Sequence, residues 1–339
     1  MAVKTESRRK KRGVATDKIF VYVILPIVAI LIIAITLNGT AYRVKFLPTM
    51  QQVMGAFGFS EAPLLNLTEG DVAVHFIDVG QGDSILITSD DCNVLIDAGE
   101  EDFADNVIRY IESRGISKLD YVIATHPHPD HIGGMYQVID RFKVGAVIMP
   151  ELSDEMIPFS SCYADFLKIV REKSIPAHYA VIGESLRIGP GTYLDFLSPI
   201  HDDYITLNDF SLVIKLRHGS NHILLMGDAE RAAENDMLNA GTALQSSVIK
   251  IGHHGSSSSS TPAFLRSVSP MYAVISVGRD NAYGHPTPEV MSRLEAIGCT
   301  VLTTAEYGNI VFVSDGSKLG YYTERGDSKK NIYEDDKAA

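Results

Sequence analysis

The longest apolar stretch of this 339-residue chain comes early. No charged residue stands between Ile19 and Tyr42, and positions 19–37 are almost unbroken Ile, Val, Leu and Ala. Nineteen helical residues rise about 28 Å, close to a bilayer core, and a proline such as Pro26 is tolerated in lipid. The run is too long for the apolar centre of a cleaved leader, although Gly39-Thr40-Ala41 resembles a cleavage site. We therefore expect an uncleaved transmembrane anchor over 19–42. Beyond it, 43–70 reads as a stalk, with Phe46, Met50, Val53, Met54 and Phe57 at helical spacing, best read as a packed linker helix.

From residue 71 the pattern changes to short β-branched runs. Strands are expected at 72–79, 84–88, 93–96, 121–125, 146–149, 192–197, 211–216, 222–226, 247–251, 273–277 and 310–313. Helical periodicity falls between them at 102–114, 134–142, 164–173, 229–238 and 288–297. Early hairpins followed by strand–helix units predict one α/β domain over 71–325, with two sheets between helical layers. A polar tail, 326–339, closes the chain.

Composition narrows the function. At 45% hydrophobic and 21% charged the chain buries a real core, which excludes a disordered tail. The net charge of −12 is uneven: residues 1–18 carry seven basic side chains against Glu6 and Asp17, a net of +5, leaving −17 on the remainder. The basic 1–18 segment predicts a cytoplasmic N-terminus and an outward-facing domain. The acidic remainder argues against a broad basic groove for nucleic acid. Cys92, Cys162 and Cys299 form no C-x-x-C pair, so a zinc ribbon is excluded.

The strongest chemical signal is Thr125-His126-Pro127-His128-Pro129-Asp130-His131-Ile132-Gly133-Gly134, delivered from the end of a strand. In an extended segment His126, His128 and Asp130 project to one side, and His131 follows as the chain turns. Pro127 and Pro129 are expected to keep the segment out of a helix. Imidazole and carboxylate together suit zinc, manganese or iron. Elsewhere the spacing is less specific. Gly80-Gln81-Gly82-Asp83 is a glycine turn between strands. Asp97 and Asp228 each follow a strand, where an aspartate serves equally as a helix cap or a site residue. His253 and His254 end another strand before Gly255, and adjacent histidines point different ways, so one of them is expected to be a ligand. His218 and His222 flank a turn and read as surface residues; His75 reads as packed within a strand.

In H-x-H-x-D-H at a strand end the chain resembles metallo-β-lactamase-fold hydrolases. Within them it is similar to the subfamily that includes the extracellular domain of the DNA-uptake protein ComEC. Four further stretches carry that resemblance: Phe76 to Ser84, Leu95 to Gly99, Met226 to Ala229 and Lys250 to Ser256. A fifth, Asn281-Ala282-Tyr283-Gly284-His285-Pro286-Thr287-Pro288-Glu289, fits the same subfamily, so that 72–322 is covered in order. The resemblance implies an αββα sandwich behind the anchor, holding two divalent metals, zinc or manganese. It implies a first site of His126, His128 and Asp228, and a second of Asp130, His131, Asp228 and either His253 or His254. Asp228 would bridge. Asp97 becomes a carboxylate orienting a ligand, and Asp83 a support near the site. Many relatives place another histidine before the bridging aspartate; here the position matches Asn208, while the surroundings of His201 do not fit.

The expected activity is hydrolysis in which a hydroxide shared by the metals attacks phosphorus or a carbonyl carbon. Asp130 counts among the catalytic residues, and the spare histidine of the 253–254 pair (His254 if His253 ligates) or His285 would donate a proton to the leaving oxygen. Ser256 and the four serines after it form either a phosphate-binding loop or a solvated one. The leading substrate is a phosphodiester such as DNA outside the membrane. The alternatives are a small envelope phosphoester of the phosphorylcholine type, and a non-catalytic anchored binding domain; lactam hydrolysis trails.

Overall fold

Alternation of side chains across strands builds the centre of the domain. The computed structural model describes residues 67–325. In β1 (Val72–Phe76), Val72, Val74 and Phe76 enter one large apolar cluster, while Ala73 and His75 point to the opposite face. In β2 (Ile85–Thr88) and β3 (Asn93–Ile96), Ile85, Ile87, Val94 and Ile96 join that cluster, and Leu86 and Leu95 turn the other way. The remaining strands are β4 (Lys118–Ile123), β5 (Lys143–Met149), β6 (Ala177–Tyr179), β7 (Ser185–Gly189), β8 (Thr192–Ser198), β9 (Val213–His218), β10 (Asn221–Leu225), β11 (Val248–Lys250), β12 (Tyr272–Ile275), β13 (Thr300–Thr303), β14 (Ile310–Ser314) and β15 (Leu319–Thr323). They form an eight-stranded sheet in the order β15-β14-β1-β2-β3-β4-β5-β6 and a seven-stranded sheet in the order β13-β12-β11-β10-β9-β8-β7.

Helices close both outer faces. Leu86, Leu95, Leu119, Val122 and Val147 of the first sheet pack against α1 (Ala104–Ser113), α2 (Pro129–Ile132), α3 (Met135–Arg141) and α4 (Ser161–Glu172). Val213, Leu224, Ile249 and Ala273 of the second pack against α5 (Arg231–Asn239), α6 (Pro262–Val268) and α7 (Pro288–Ala296); α8 (Thr304–Tyr307) follows β13. The result is a mixed αββα sandwich. In each sheet one half is parallel, β3 to β6 and β10 to β13, because helical crossovers return the chain to the same end. The carboxyl ends of β3, β4, β10, β11 and β12 therefore gather at one end of the domain.

From residue 71 on, each expected strand and helix has its counterpart, with boundaries shifted by a few residues. The strands without a sequence signal are β6, β7, β13 and β15, which are the four edges of the two sheets. An edge strand is buried on fewer sides and needs no long β-branched run; β6, Ala-His-Tyr, is exposed throughout.

Three expectations are corrected. Pro129 does not keep its segment out of a helix: it begins α2 at the first helical position, where its missing N–H is not needed, so Asp130 and His131 leave from a helical turn. His218 is buried, with Nδ1 on Ser314 Oγ at 2.9 Å, rather than on the surface. The serine patch is not a wholly solvated loop. Ser259 and Ser260 are buried, Ser259 Oγ donates to Gly252 O (2.7 Å), and the Ser260 and Thr261 N–H groups donate to Glu234 of α5. The anchor (19–42), the basic segment (1–18), nearly all of the stalk and the tail (326–339) lie outside the described residues. Among the described residues no helix is long and apolar enough to cross a membrane.

His75 makes stability pH-dependent. Its Nδ1 pairs with the Tyr110 hydroxyl of α1 (2.9 Å) and its Nε2 with Thr88 Oγ1 (3.3 Å). Burial, and after it the Arg114 guanidinium, pull its pKa down to about 3. The folded ring stays neutral while the unfolded chain takes up a proton near pH 6.5, so this contribution is complete above that pH and is lost as pH falls toward 3. Urea unfolding at about pH 7 and about pH 5 should show the wild type losing about 2 kcal/mol more than His75→Gln over that window. Equal losses would contradict a neutral buried ring.

Candidate metal centre

The site forms where the carboxyl ends of both sheets meet. Leu212 N–H donates to Thr125 O (2.9 Å), tying the segment before β9 to the end of β4. Two glycines permit the approach. A Cβ at Gly82, where φ is +136°, would lie 2.2 Å from Asp130 O, so the 80–83 turn can press on the histidine loop only without a side chain there. At Gly227 φ is +52°, and a Cβ would crowd Thr125 and Ser211 at 3.1 Å.

From the first sheet come His126, His128, Asp130 and His131; from the second come Asp228, after β10, and His253 and His254, after β11. The two carboxylate oxygens of Asp228 face different imidazoles. Oδ1 lies 3.2 Å from His131 Nε2 and 3.5 Å from His254 Nε2, which is itself 3.2 Å from Asp130 Oδ2. Oδ2 lies 3.8 Å from His126 Nε2 and 3.9 Å from His253 Nε2, and His126 Nε2 is 3.0 Å from His128 Nδ1. Two donor sets thus share one aspartate: Asp130, His131, Asp228 and His254, and His126, His128 and Asp228.

The far nitrogen of four of these rings is held. His131 Nδ1–H donates to Asp97 Oδ2 (2.7 Å), and Asp97 also accepts from Thr125 N–H (2.8 Å) and Thr125 Oγ1–H (2.6 Å). His254 Nδ1–H donates to Ser276 O (2.9 Å), and His253 Nδ1–H to Glu230 Oε1 (2.7 Å). His126 Nδ1 meets Thr125 Oγ1 (3.1 Å) and Ser211 Oγ (3.3 Å). In the neutral rings these partners assign the tautomers of His131, His254, His253 and His126 and turn the inner nitrogens, as acceptors, toward a carboxylate. His131 Nε2 and Asp228 Oδ1 are both buried without a hydrogen-bond partner although they face each other. Acceptors confronting acceptors in a dry site fit divalent cations, and nitrogen with carboxylate is the chemistry that holds them.

Backbone and charge reinforce this. His253 and His254 both lie in the left-handed region (φ +48° and +52°), which aims adjacent rings at different oxygens of Asp228. Burial would raise the Asp228 carboxyl, but His254 and His131 overturn that and hold it well below the usual range. Burial likewise would lower His131, but Asp228 and Asp97 hold it well above its ordinary value. His126, without such close support, is driven well down by burial.

Of the other expected residues, Asp97 accepts the hydrogen bond from His131 described above. Asp83 is buried at the floor, its Oδ2 2.6 Å from Lys250 Nζ. With His131 it could be grouped into a third cluster, Asp83, Asp97 and His131, but the Lys250 ammonium already sits against Asp83. Asn208 donates from Nδ2 to Glu230 Oε1 (3.1 Å) and so steadies His253; His201 lies apart, half exposed near Asp236. His285 stands beside His253, ring centroids 5.6 Å apart, with Nδ1 buried and unpartnered. His254 has Nδ1 on Ser276 O and Nε2 3.2 Å from Asp130 Oδ2. Ser256 Oγ pairs with Ser258 Oγ (2.8 Å), and Ser258 Oγ donates to Glu230 (2.7 Å). Sequence reasoning missed Lys250, Glu230, Thr125 and Ser211. Only Lys250 had a signal, a lone charge between Ile249 and Ile251 in an apolar strand.

A sandwich with this constellation at its seam defines a class, and the chain belongs to it: the metallo-beta-lactamase superfamily, whose family model matches residues 77–279. It is an enzyme of that superfamily. In sequence it is similar to ComE operon protein 3 of Bacillus subtilis, 30% identical over 268 residues that cover 72% of this chain and 33% of that protein. It is also similar to competence protein ComA of Neisseria gonorrhoeae, 31% identical over 246 residues, 72% of this chain and 32% of that one. The chain spans about a third of the length of these curated relatives. In fold it is similar to the metallo-beta-lactamase fold protein YhfI of Bacillus subtilis, with a TM-score of 0.51 at 12% identity, covering 72% of this chain and all of that one.

The Lys250–Asp83 pair is fully buried, and Lys250 Nζ also donates to Gly227 O (3.0 Å). Lys250→Met strands a buried carboxylate and should cost about 3–5 kcal/mol. Lys250→Met with Asp83→Asn should recover most of that loss in urea unfolding of metal-free protein. Additive losses would contradict the pairing.

Proposed function

We propose that the chain is a binuclear metal-dependent phosphodiesterase that cleaves nucleic acid, held at a membrane by residues 19–42 with its domain facing outward. The observation that carries the reading is the division of Asp228, one oxygen toward His131, His254 and Asp130 and the other toward His126, His253 and, beyond them, His128. The name of the Neisseria gonorrhoeae relative, a competence protein, supports the nucleic-acid substrate. The strongly acidic charge outside residues 1–18 favours a second reading, a small phosphoester at the envelope.

The first cation would be held by His126, His128 and Asp228, with His253 Nε2 facing the same oxygen; the second by Asp130, His131, His254 and Asp228. Bound there, the cations would polarise the oxygens of the electrophile and lower the pKa of water at the site. Asp97, Ser276 O and Glu230 fix the direction of His131, His254 and His253, so no ring must reorient when cations bind. His285, beside His253, would hydrogen-bond a substrate oxygen or pass a proton to the leaving one.

Elemental analysis of the full chain should find two divalent cations, with manganese- or zinc-dependent cleavage of an oligonucleotide. Asp228→Ala should retain at most one cation and lose cleavage. Asp97→Ala should weaken one cation by about 10–100-fold. Cleavage of bis-p-nitrophenyl phosphate without the oligonucleotide would favour the small phosphoester, and a chain that binds no metal would overturn both readings.

A further inference from the structure

The loop between β12 and α7 carries an exposed aromatic side chain that nothing in the metal chemistry uses. Tyr283 is 71% exposed. One face of its ring stacks on His285, with centroids 5.7 Å apart and planes 25° apart, and His285 in turn stands against His253.

Although exposed, this ring is on a fixed loop. Asn281 clamps it from within: Nδ2–H donates to Gly278 O (2.9 Å) and His285 O (2.7 Å), and Oδ1 accepts from His285 N–H (3.0 Å). At one end Gly278 N–H donates to Gln81 Oε1 (3.3 Å), joining the loop to the 80–83 turn that packs on Asp130. At the other end Thr287 N–H (2.9 Å) and Thr287 Oγ1–H (3.1 Å) donate to Gly255 O, beside His253 and His254. Both anchors are turns of the metal centre itself. The loop bearing the tyrosine is therefore tied to the cluster before any ligand arrives, which lowers the cost of ordering that loop on binding.

We infer that Tyr283 is a stacking platform for an unpaired nucleobase of a single-stranded substrate whose phosphodiester lies at the metal centre; this rests on the nuclease reading above. Bases in a duplex already stack on their neighbours, so only an unpaired base offers a free face to a lone ring. Charge points the same way. A domain with this excess of carboxylates gains little from contacts along a phosphate backbone, so affinity must come from the cations at one phosphate and from non-ionic contact beside it. Base–aromatic stacking is such a contact and tolerates any base.

The test compares a fluorescein-labelled ten-residue oligothymidylate with an abasic deoxyribose-phosphate oligomer of equal length, using the full chain loaded with manganese. Cleavage kinetics are one readout and fluorescence anisotropy of binding the other. The wild type should bind the thymidylate at least ~5-fold more tightly, with a correspondingly lower KM. Tyr283→Ala should bring binding of thymidylate down to the abasic level while binding of the abasic oligomer is unaffected, and Tyr283→Phe should keep the preference. If Tyr283→Ala handles thymidylate as the wild type does, or loses both oligomers equally, the platform is overturned while the nuclease reading stands. If the wild type neither binds nor cleaves either oligomer, both fall.

Discussion

Asp228 is a buried carboxylate whose two oxygens look at two different groups of imidazoles, and most of the domain can be understood as keeping those groups in place. Each group draws one histidine from after β11 and the rest from the segment after β4, and Asp228 itself follows β10, so the arrangement exists only while the two sheets meet. The contact is close enough to demand glycine at positions 82 and 227. Beneath it, Lys250 bridges from the second sheet to Asp83 of the first, with Asp228 Oδ1 3.9 Å away.

The hydrogen bonds around the cluster all act in one sense. Asp97, Ser276 O, Glu230 and the hydroxyls of Thr125 and Ser211 take up the outer nitrogens of the rings, so in the neutral rings the inner nitrogens face the centre as acceptors. Such a centre is unfavourable when it holds no positive charge, because unpaired acceptors are shut away from water. Asn208 donates to Glu230, which holds His253 as that ring turns toward the first group, so the unusual backbone of His253 is steadied by a single hydrogen-bonded unit.

Legibility from the sequence followed burial. Interior strands such as β2, β3 and β10 are short apolar runs because both faces are covered, and each could be read directly. The four edge strands could not, because fewer neighbours constrain their composition. α6 was hidden behind five serines that read as a loop, although Thr261-Pro262 caps and opens a helix there. His218 looked superficial because it flanks a turn, yet the neighbouring 314–316 turn covers it.

The sequence by itself determined which donors are present and how they are grouped locally: the H-x-H-x-D-H run, an aspartate and a histidine pair at strand ends, and glycines where the chain must turn. Those are properties of neighbouring residues, readable from spacing and backbone preference. Only the tertiary structure decided that His253 and His254 face different oxygens of Asp228, that Lys250 answers Asp83, and that the loop bearing Tyr283 is tied to the same turns. Each of these joins residues far apart in the chain through distances of a few ångströms, and such distances arise only when two separately formed sheets are packed face to face.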